Sequence, residues 1–138
     1  MTKKLNTILL LDDNPATNFI HQKFISRVDC TKEIVTFQGG FDALDYLGSK
    51  TKKALELMLV DINMPMMDAW DFLEEFQKIE NPHVKDTKVI LLSTSVSTSD
   101  FEKAKQIPII RGLRLKPLTV KAVHEIMDEF FPDIDLTE

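Results

Sequence analysis

Apolar stretches of this chain end repeatedly at a polar or charged side chain. Residues 8–11, 57–60 and 89–92 are continuous apolar runs, and the shorter segment 113–115 is strand-like. The side chains that follow them are Asp12 and Asp13, Asp61, Ser93 and Lys116. Such runs are typical of strands buried on both faces of a parallel sheet, whose carboxyl ends share the edge where ligands bind. The pattern therefore predicts a cluster of carboxylates, a hydroxyl and an ammonium at one edge, although a lone aspartate in such a place more often caps the next turn.

Segments with helical spacing separate these runs. Asn14 is suited to cap a first helix and Pro15 to occupy its first position. The face expected to pack on the sheet carries Ala16, Phe19, Ile20, Phe24 and Val28. A second helix carries Phe41, Leu44 and Leu47, and we expect it to end at Gly48.

Three further helices follow the same alternation. The third places Phe72, Leu73, Phe76 and Ile79 inward and stops at Asn81 and Pro82. The fourth covers residues 101–106, because Ser99 and Glu102 have the spacing of a capping box. The fifth begins after Thr119 and carries an apolar stripe of Val120, Val123, Ile126, Met127 and Phe130.

The strand order follows from which strands end at a charged or hydroxyl-bearing side chain. Residues 34–37 predict a second strand with no charged group at its carboxyl end, which places it at an edge. Arg111 and Arg114 suit the fifth strand to the opposite edge. Five strand–helix pairs joined by right-handed crossovers then give a doubly wound α/β fold with five helices and the flavodoxin-like order 2-1-3-4-5.

Composition limits the kind of protein to which this edge belongs. The 138 residues suit one domain, with a core at about residues 5–131 and an acidic tail at 132–138. No apolar run is long enough to span a bilayer or to form a secretory signal, so we expect a cytoplasmic protein without a membrane partner. A net charge of −5 disfavours direct nucleic-acid binding. Cys30, the single cysteine, is expected to fill space in the core, and His21, His83 and His124 are expected at the surface.

The predicted edge has a definite chemistry. Crowded carboxylates repel each other, so their pKa values rise or a cation neutralises them. No histidine or cysteine joins Asp12, Asp13 and Asp61, and oxygen ligands of this kind suit Mg²⁺ better than zinc. With Lys116 and Ser93 nearby, such a site is equipped to receive a phosphoryl group on Asp61.

These residues resemble the receiver domain of bacterial two-component response regulators. The resemblance rests on Asp12 with Asp13, on Ser93, on Lys116 with Pro117, and on the segment 61–68, and it covers nearly the whole chain. It implies that Asp61 accepts a phosphoryl group from a sensor histidine kinase or a histidine phosphotransfer protein. It also implies that Asp13, Asp61 and the backbone carbonyl of Asn63 hold Mg²⁺, with Asp12 acting through metal-bound water.

The resemblance further implies how a signal leaves the site. Lys116 would pair with the phosphoryl group and the Ser93 hydroxyl would move toward it, reshaping the face of the fourth helix, fifth strand and fifth helix for an unknown downstream protein. Such a chain is a monomer or weak dimer and catalyses only its own phosphoryl transfer and slow dephosphorylation. Three positions depart from the family pattern: Leu113 replaces an aromatic residue, Thr94 replaces a small one, and Ala69 replaces a glycine that a left-handed turn would require.

Three alternatives stay open at this stage. A flavin mononucleotide carrier shares the topology but needs a hydroxyl- and glycine-rich phosphate loop where this chain has Asp12 and Asp13. An aspartate-nucleophile phosphatase would use Asp61 but needs a general acid where this chain has Asn63. A receiver that binds partners without being phosphorylated is the third, and Leu113 favours it.

Overall fold

Strands and helices alternate along the chain. The computed structural model describes residues 3–50, 52–95 and 97–134, apart from the side chains of residues 49 and 50. The elements are β1 (Leu5–Leu11), α1 (Pro15–Val28), β2 (Thr31–Phe37), α2 (Gly40–Asp45), β3 (Leu57–Asp61), α3 (Ala69–Phe76), β4 (Lys88–Ser93), α4 (Thr98–Lys105), β5 (Ile110–Leu115) and α5 (Val120–Phe130). All strand pairs are parallel and the order is β2-β1-β3-β4-β5. The predicted doubly wound, flavodoxin-like sheet is therefore confirmed.

The central strands β1, β3 and β4 are buried on both faces. Leu9, Met58 and Leu91 pack on one side with α2, α3 and α4. Leu10, Leu59 and Leu92 pack on the other side with α1 and α5. Because neither face meets water, these strands are continuous apolar runs rather than alternating ones. Their polar residues are thereby confined to the strand ends.

The inner face of α1 differs from the predicted one. Phe19 and Ile20 are 59% and 45% exposed, and Ala16 is also exposed, whereas the buried positions are Asn18, His21, Ile25 and Val28. The prediction was correct for Val28 but wrong for Ala16, Phe19 and Ile20, because it counted polar side chains as outward. The hydrogen-bond partners that allow Asn18 and His21 to be buried include residues far along the chain. His21, expected at the surface, is 1% exposed.

Three helix ends also differ from the sequence-based boundaries. The chain continues past α2 as a π-helical turn over Tyr46–Lys50, so Gly48 does not end the helix. The helix α3 ends at Phe76, before Ile79 and the predicted stop at Asn81 and Pro82. The helix α4 starts at Thr98 because Ser97 and Asp100 form the capping box, two residues ahead of the predicted pair Ser99 and Glu102.

The remaining predicted packing is mostly confirmed. Asn14 caps α1 and Thr119 caps α5, whose stripe is buried at Val123, Ile126 and Met127. Cys30 is fully buried, and burial raises its pKa to about 11, as suits a space-filling thiol. In the predicted tail, Ile134 packs on the α1 and α5 side of the core, and residues 135–138 lie outside the described residues. Within the described part of the chain, no helix is long and apolar enough to cross a lipid bilayer.

Candidate functional site

Three carboxylates meet where β1 and β3 end. The register pairs Leu11 with Val60, so the next residues, Asp12 and Asp61, stand side by side at the same edge. Asp12 and Asp61 are 3% and 4% exposed, and Asp13 is exposed. One oxygen from each of the three lies within 4.8 Å of the others. This arrangement fits a shared hard cation, since each carboxylate can offer an oxygen to one ion.

Lys116 follows the carboxyl end of β5 and reaches this cluster. Its backbone N–H donates to the Ser93 carbonyl at 2.8 Å, which fixes the turn beside β4. Its ammonium Nζ lies 2.8 Å from Asp12 Oδ2 and 3.2 Å from Asp61 Oδ1. The peptide bond between Lys116 and Pro117 is cis. The predicted convergence of the lysine with the aspartates is thus present in the structure.

The carboxylates and the ammonium perturb one another. Burial raises the pKa of Asp61, the Asp12 charge raises it further, and Lys116 and the Asn63 backbone N–H act in the opposite direction. Burial lowers the pKa of Lys116, but Asp12 and Asp61 outweigh this effect and leave the lysine pKa above its ordinary value. Lys116 is therefore charged at neutral pH, and the cluster favours any further positive charge.

A cavity of about 440 Å³ opens over the cluster. Its lining contains the predicted residues Asp12, Asp13, Asp61, Asn63, Thr94, Lys116 and Pro117, together with Asn14 and Thr17. Ser93 and Leu113 do not line it. The Ser93 hydroxyl donates to the Ser95 carbonyl and accepts from the Ser95 N–H, and Leu113 borders a separate depression beside Phe101.

The loop after Asp61 accommodates Ala69 in place of the glycine. Ala69 is the first residue of α3, capped by the Asp68 side chain, so the alanine adopts ordinary helical geometry without strain. The left-handed residue is Met66, with φ of 69°, and its side chain is 93% exposed. Met64 and Met67, on either side of it, are buried in the core.

The strain at Met66 gives a prediction for stability. Replacing Met66 with valine is expected to lower the free energy of unfolding by about 1 kcal/mol, because a β-branched residue resists positive φ. Glycine adopts that geometry freely, so Met66→Gly is expected to stay within about 0.5 kcal/mol of the wild type. Urea denaturation of the three proteins checks this. A valine variant as stable as the wild type would contradict the prediction.

Two buried polar residues next to the site were not predicted from the sequence. Asn18 Nδ2 donates to the carbonyls of Asp12 and Phe37 at 3.0 and 3.1 Å. His21 Nε2 accepts from the Leu118 N–H at 3.0 Å, which requires that nitrogen to be unprotonated. Burial lowers the pKa of His21, the Asp12 charge raises it and the Lys116 charge lowers it. The net effect is a lowered pKa, which favours the required neutral form. Their one signal in the sequence is that they are in helical phase with Ile25 and Val28.

Comparison with known proteins agrees with the fold. The family model for the response regulator receiver domain matches residues 8–128. The hybrid signal transduction histidine kinase D of Dictyostelium discoideum is 33% identical over 98 residues, which cover 70% of this chain and 6% of that protein. The two-component response regulator ORR26 of Oryza sativa subsp. japonica is 30% identical over 124 residues, which cover 90% of this chain and 20% of that protein.

Similarity extends to solved structures. The crystal structure of a two-component response regulator from Cytophaga hutchinsonii superposes with a TM-score of 0.82 and 26% identity, covering 92% of this chain and 97% of the other. The curated relatives are thus much longer than the segment they share with this chain, whereas the solved structure is of matching size. Because the family model matches most of its length, the chain belongs to the family of response regulator receiver domains.

Proposed function

We propose that this chain is a phosphoacceptor receiver of a two-component or phosphorelay system, acting in the cytoplasm, with Asp61 as the acceptor. The observation that carries the proposal is that Asp61 lies 3.2 Å from the Lys116 ammonium, belongs to the three-carboxylate cluster and lines an open cavity. A carboxylate there is accessible to a donor and has a cation beside it. The donor we infer is a phosphohistidine on a sensor histidine kinase or a histidine phosphotransfer protein.

The charges of the cluster favour a divalent ion. Three carboxylates and one ammonium leave two negative charges uncompensated, which Mg²⁺ would neutralise. Asp12, Asp13, Asp61 and the carbonyl of Asn63 would hold it, with Asp12 acting through water. When bound, Mg²⁺ supplies positive charge to the oxygens of the incoming phosphoryl group.

The protein's own groups account for the transfer step. An oxygen of Asp61 forms the new P–O bond while the P–N bond of the phosphohistidine breaks, and the departing imidazole nitrogen keeps the electron pair and takes a proton from water. Lys116, already 3.2 Å from Asp61 Oδ1, neutralises charge on the transferring group. The chain then catalyses only its own phosphorylation and slow dephosphorylation and acts on no other substrate.

The signal would leave the site through Ser93 and the loop after β4. The Ser93 hydroxyl is held by Ser95, so reaching the phosphoryl group breaks this local bond and draws the loop toward the site. The loop leads directly into α4, and exposed Phe101 and Leu115 lie on the face of α4 and β5. We infer that this face, with α5, binds the downstream protein. Leu113 is half-buried there, which makes the coupling differ from that of receivers with an aromatic residue.

The proposal is tested by phosphorylation with a small donor. Acetyl phosphate with Mg²⁺ is expected to add one phosphoryl group, detected by intact-mass spectrometry, and removal of Mg²⁺ with a chelator is expected to prevent the addition. Hydroxylamine cleaves an acyl phosphate but not a serine or threonine phosphate, so the added group should be lost on treatment. An unmodified protein, or a modification that resists hydroxylamine, would overturn the proposal and favour a receiver that binds partners without phosphorylation.

A further inference from the structure

Two polar side chains lie on the buried face of α1, three residues apart. Asn18 is 5% exposed and His21 is 1% exposed, and neither takes part in the chemistry proposed for Asp61. Burying such groups costs free energy unless hydrogen bonds compensate for it. Asn18 donates to the backbone of the segment that carries Asp12, and His21 accepts from the backbone of the segment that carries Lys116.

Asn18 holds the segment after β1. Its Nδ2 donates to the carbonyl of Asp12 itself and to the carbonyl of Phe37, at the end of β2. The Asp12 N–H also donates to Phe37, at 3.1 Å. The backbone of Asp12 is thus fixed to α1 and to the neighbouring strand, which limits where its carboxylate can lie.

His21 holds the segment after β5. Its Nε2 accepts from the N–H of Leu118, a fully buried residue two positions beyond Lys116. Pro117, between them, has no N–H to donate, so the Leu118 N–H is the first backbone donor after Lys116 that can anchor this turn. On the other side, the Lys116 N–H is bound to Ser93. The lysine backbone is therefore held from both ends.

One rigid helix thus connects the two halves of an ion pair. Asn18 and His21 are separated by about 4.5 Å along the helix axis, and the helical backbone keeps that separation constant. Lys116 has a long flexible side chain, so the position of its ammonium between Asp12 and Asp61 depends on where its backbone is held. With both anchors in place, Nζ lies 2.8 and 3.2 Å from the two carboxylates.

We propose that Asn18 and His21 are positioning residues for phosphoryl transfer: through the Asp12 carbonyl and the Leu118 N–H, they align Lys116 with Asp12 and Asp61. This inference rests on the proposed function, since the alignment matters for the rate only if Asp61 accepts a phosphoryl group. It assigns α1 a role in the reaction although neither residue touches the phosphoryl group.

The test compares variants that remove one anchor each. His21→Leu removes the acceptor for Leu118 and Asn18→Leu removes the donor to Asp12, while His21→Gln supplies an oxygen that can replace Nε2. With acetyl phosphate and saturating Mg²⁺, each leucine variant is expected to be phosphorylated about tenfold more slowly, as misplacement of a catalytic group predicts, and His21→Gln is expected to recover most of the rate. Ile25→Val, on the same buried face but without a bond to either segment, is the matched control and should keep the wild-type rate.

A double-mutant comparison separates alignment from a purely structural role. In a Lys116→Ala background, adding His21→Leu should change the rate little, since the group that His21 aligns is absent. Rates are compared below the melting transition of the least stable variant.

The outcomes distinguish this inference from the function on which it rests. A wild-type protein that acetyl phosphate does not modify would refute the proposed function. A wild type that is modified, with leucine variants that keep its rate, would refute the positioning role alone. The positioning role would also be refuted if His21→Leu slowed the Lys116→Ala protein as much as it slows the wild type. If His21→Leu does not fold, Asn18→Leu decides between the same two results.

Discussion

Asp61→Asn is expected to abolish phosphorylation by acetyl phosphate while leaving the protein folded. Asparagine has nearly the same shape as aspartate, and its carbonyl oxygen can still accept a hydrogen bond from Lys116. The amide, however, is not a nucleophile at neutral pH. The loss should be complete by intact-mass spectrometry, with the signal of the added phosphoryl group at background. Labelling that survives would place the acceptor on another carboxylate, and Asp13, the exposed member of the cluster, would be the next to examine.

The same substitution has an expected effect on stability. The pKa of Asp61 is raised in the folded protein by burial and by Asp12, so between the ordinary value of 3.8 and the raised value the folded state binds more protons than the unfolded state. The free energy of unfolding therefore falls as pH rises through that window, and the cost persists above it. Without added Mg²⁺, Asp61→Asn should be more stable than the wild type at neutral pH and should lack this dependence.

A matched control lies seven residues further along the same loop. Asp68 caps α3 by accepting from the Asp71 N–H at 2.9 Å and does not line the cavity. Asparagine is also a good cap, so Asp68→Asn should fold normally and keep the wild-type extent of labelling. Loss of labelling in this control would mean that removing a charge from the loop is sufficient, and the result at Asp61 would then not identify the acceptor.

The site was predictable from the sequence because strand geometry dictates it. Parallel strands buried on both faces have polar residues only at their ends, and the shared register sets Asp12 beside Asp61 without any knowledge of side-chain packing. Lys116 followed from the same rule applied to β5, although that strand is longer than the predicted segment 113–115. The position of Ser93 at the end of β4 was also correct, but its bond to Ser95 depends on the local path of the loop.

The inner face of α1 was not predictable by polarity. Asn18 and His21 are buried because their partners, at Phe37 and Leu118, come from segments distant in sequence, and no local pattern indicates those bonds. Both possible faces of the helix contain apolar residues, so hydrophobic spacing alone did not distinguish them. The start of α4 failed for a similar reason: Ser97 with Asp100 and Ser99 with Glu102 have the same capping-box spacing, and only the path of the chain selects the first pair.

Lys116→Ala is expected to retain Mg²⁺ binding but to lose most of the conformational response to phosphorylation. The three carboxylates remain, and removal of the ammonium leaves them more negative, so the cation should bind at least as well. Phosphoryl transfer should slow by about a hundredfold, the usual effect of losing one group that stabilises developing charge. The acid side of the pH–rate profile should move to higher pH, since Lys116 lowers the pKa of Asp61 in the wild type.

The response itself can be followed at Trp70, the single tryptophan of the chain. Trp70 lies in α3 with the Lys103 ammonium of α4 at 5.4 Å from its ring centre, so movement of α4 should alter its fluorescence. A beryllofluoride phosphoryl mimic with Mg²⁺ is expected to change this signal in the wild type and to leave it nearly unchanged in Lys116→Ala, even where Mg²⁺ titration shows normal binding. A full fluorescence change in the variant would mean that Ser93 couples the site to α4 without Lys116. Lys103→Gln, which keeps the acid cluster intact, controls for the probe: its basal fluorescence should shift, whereas its rate of phosphorylation should not.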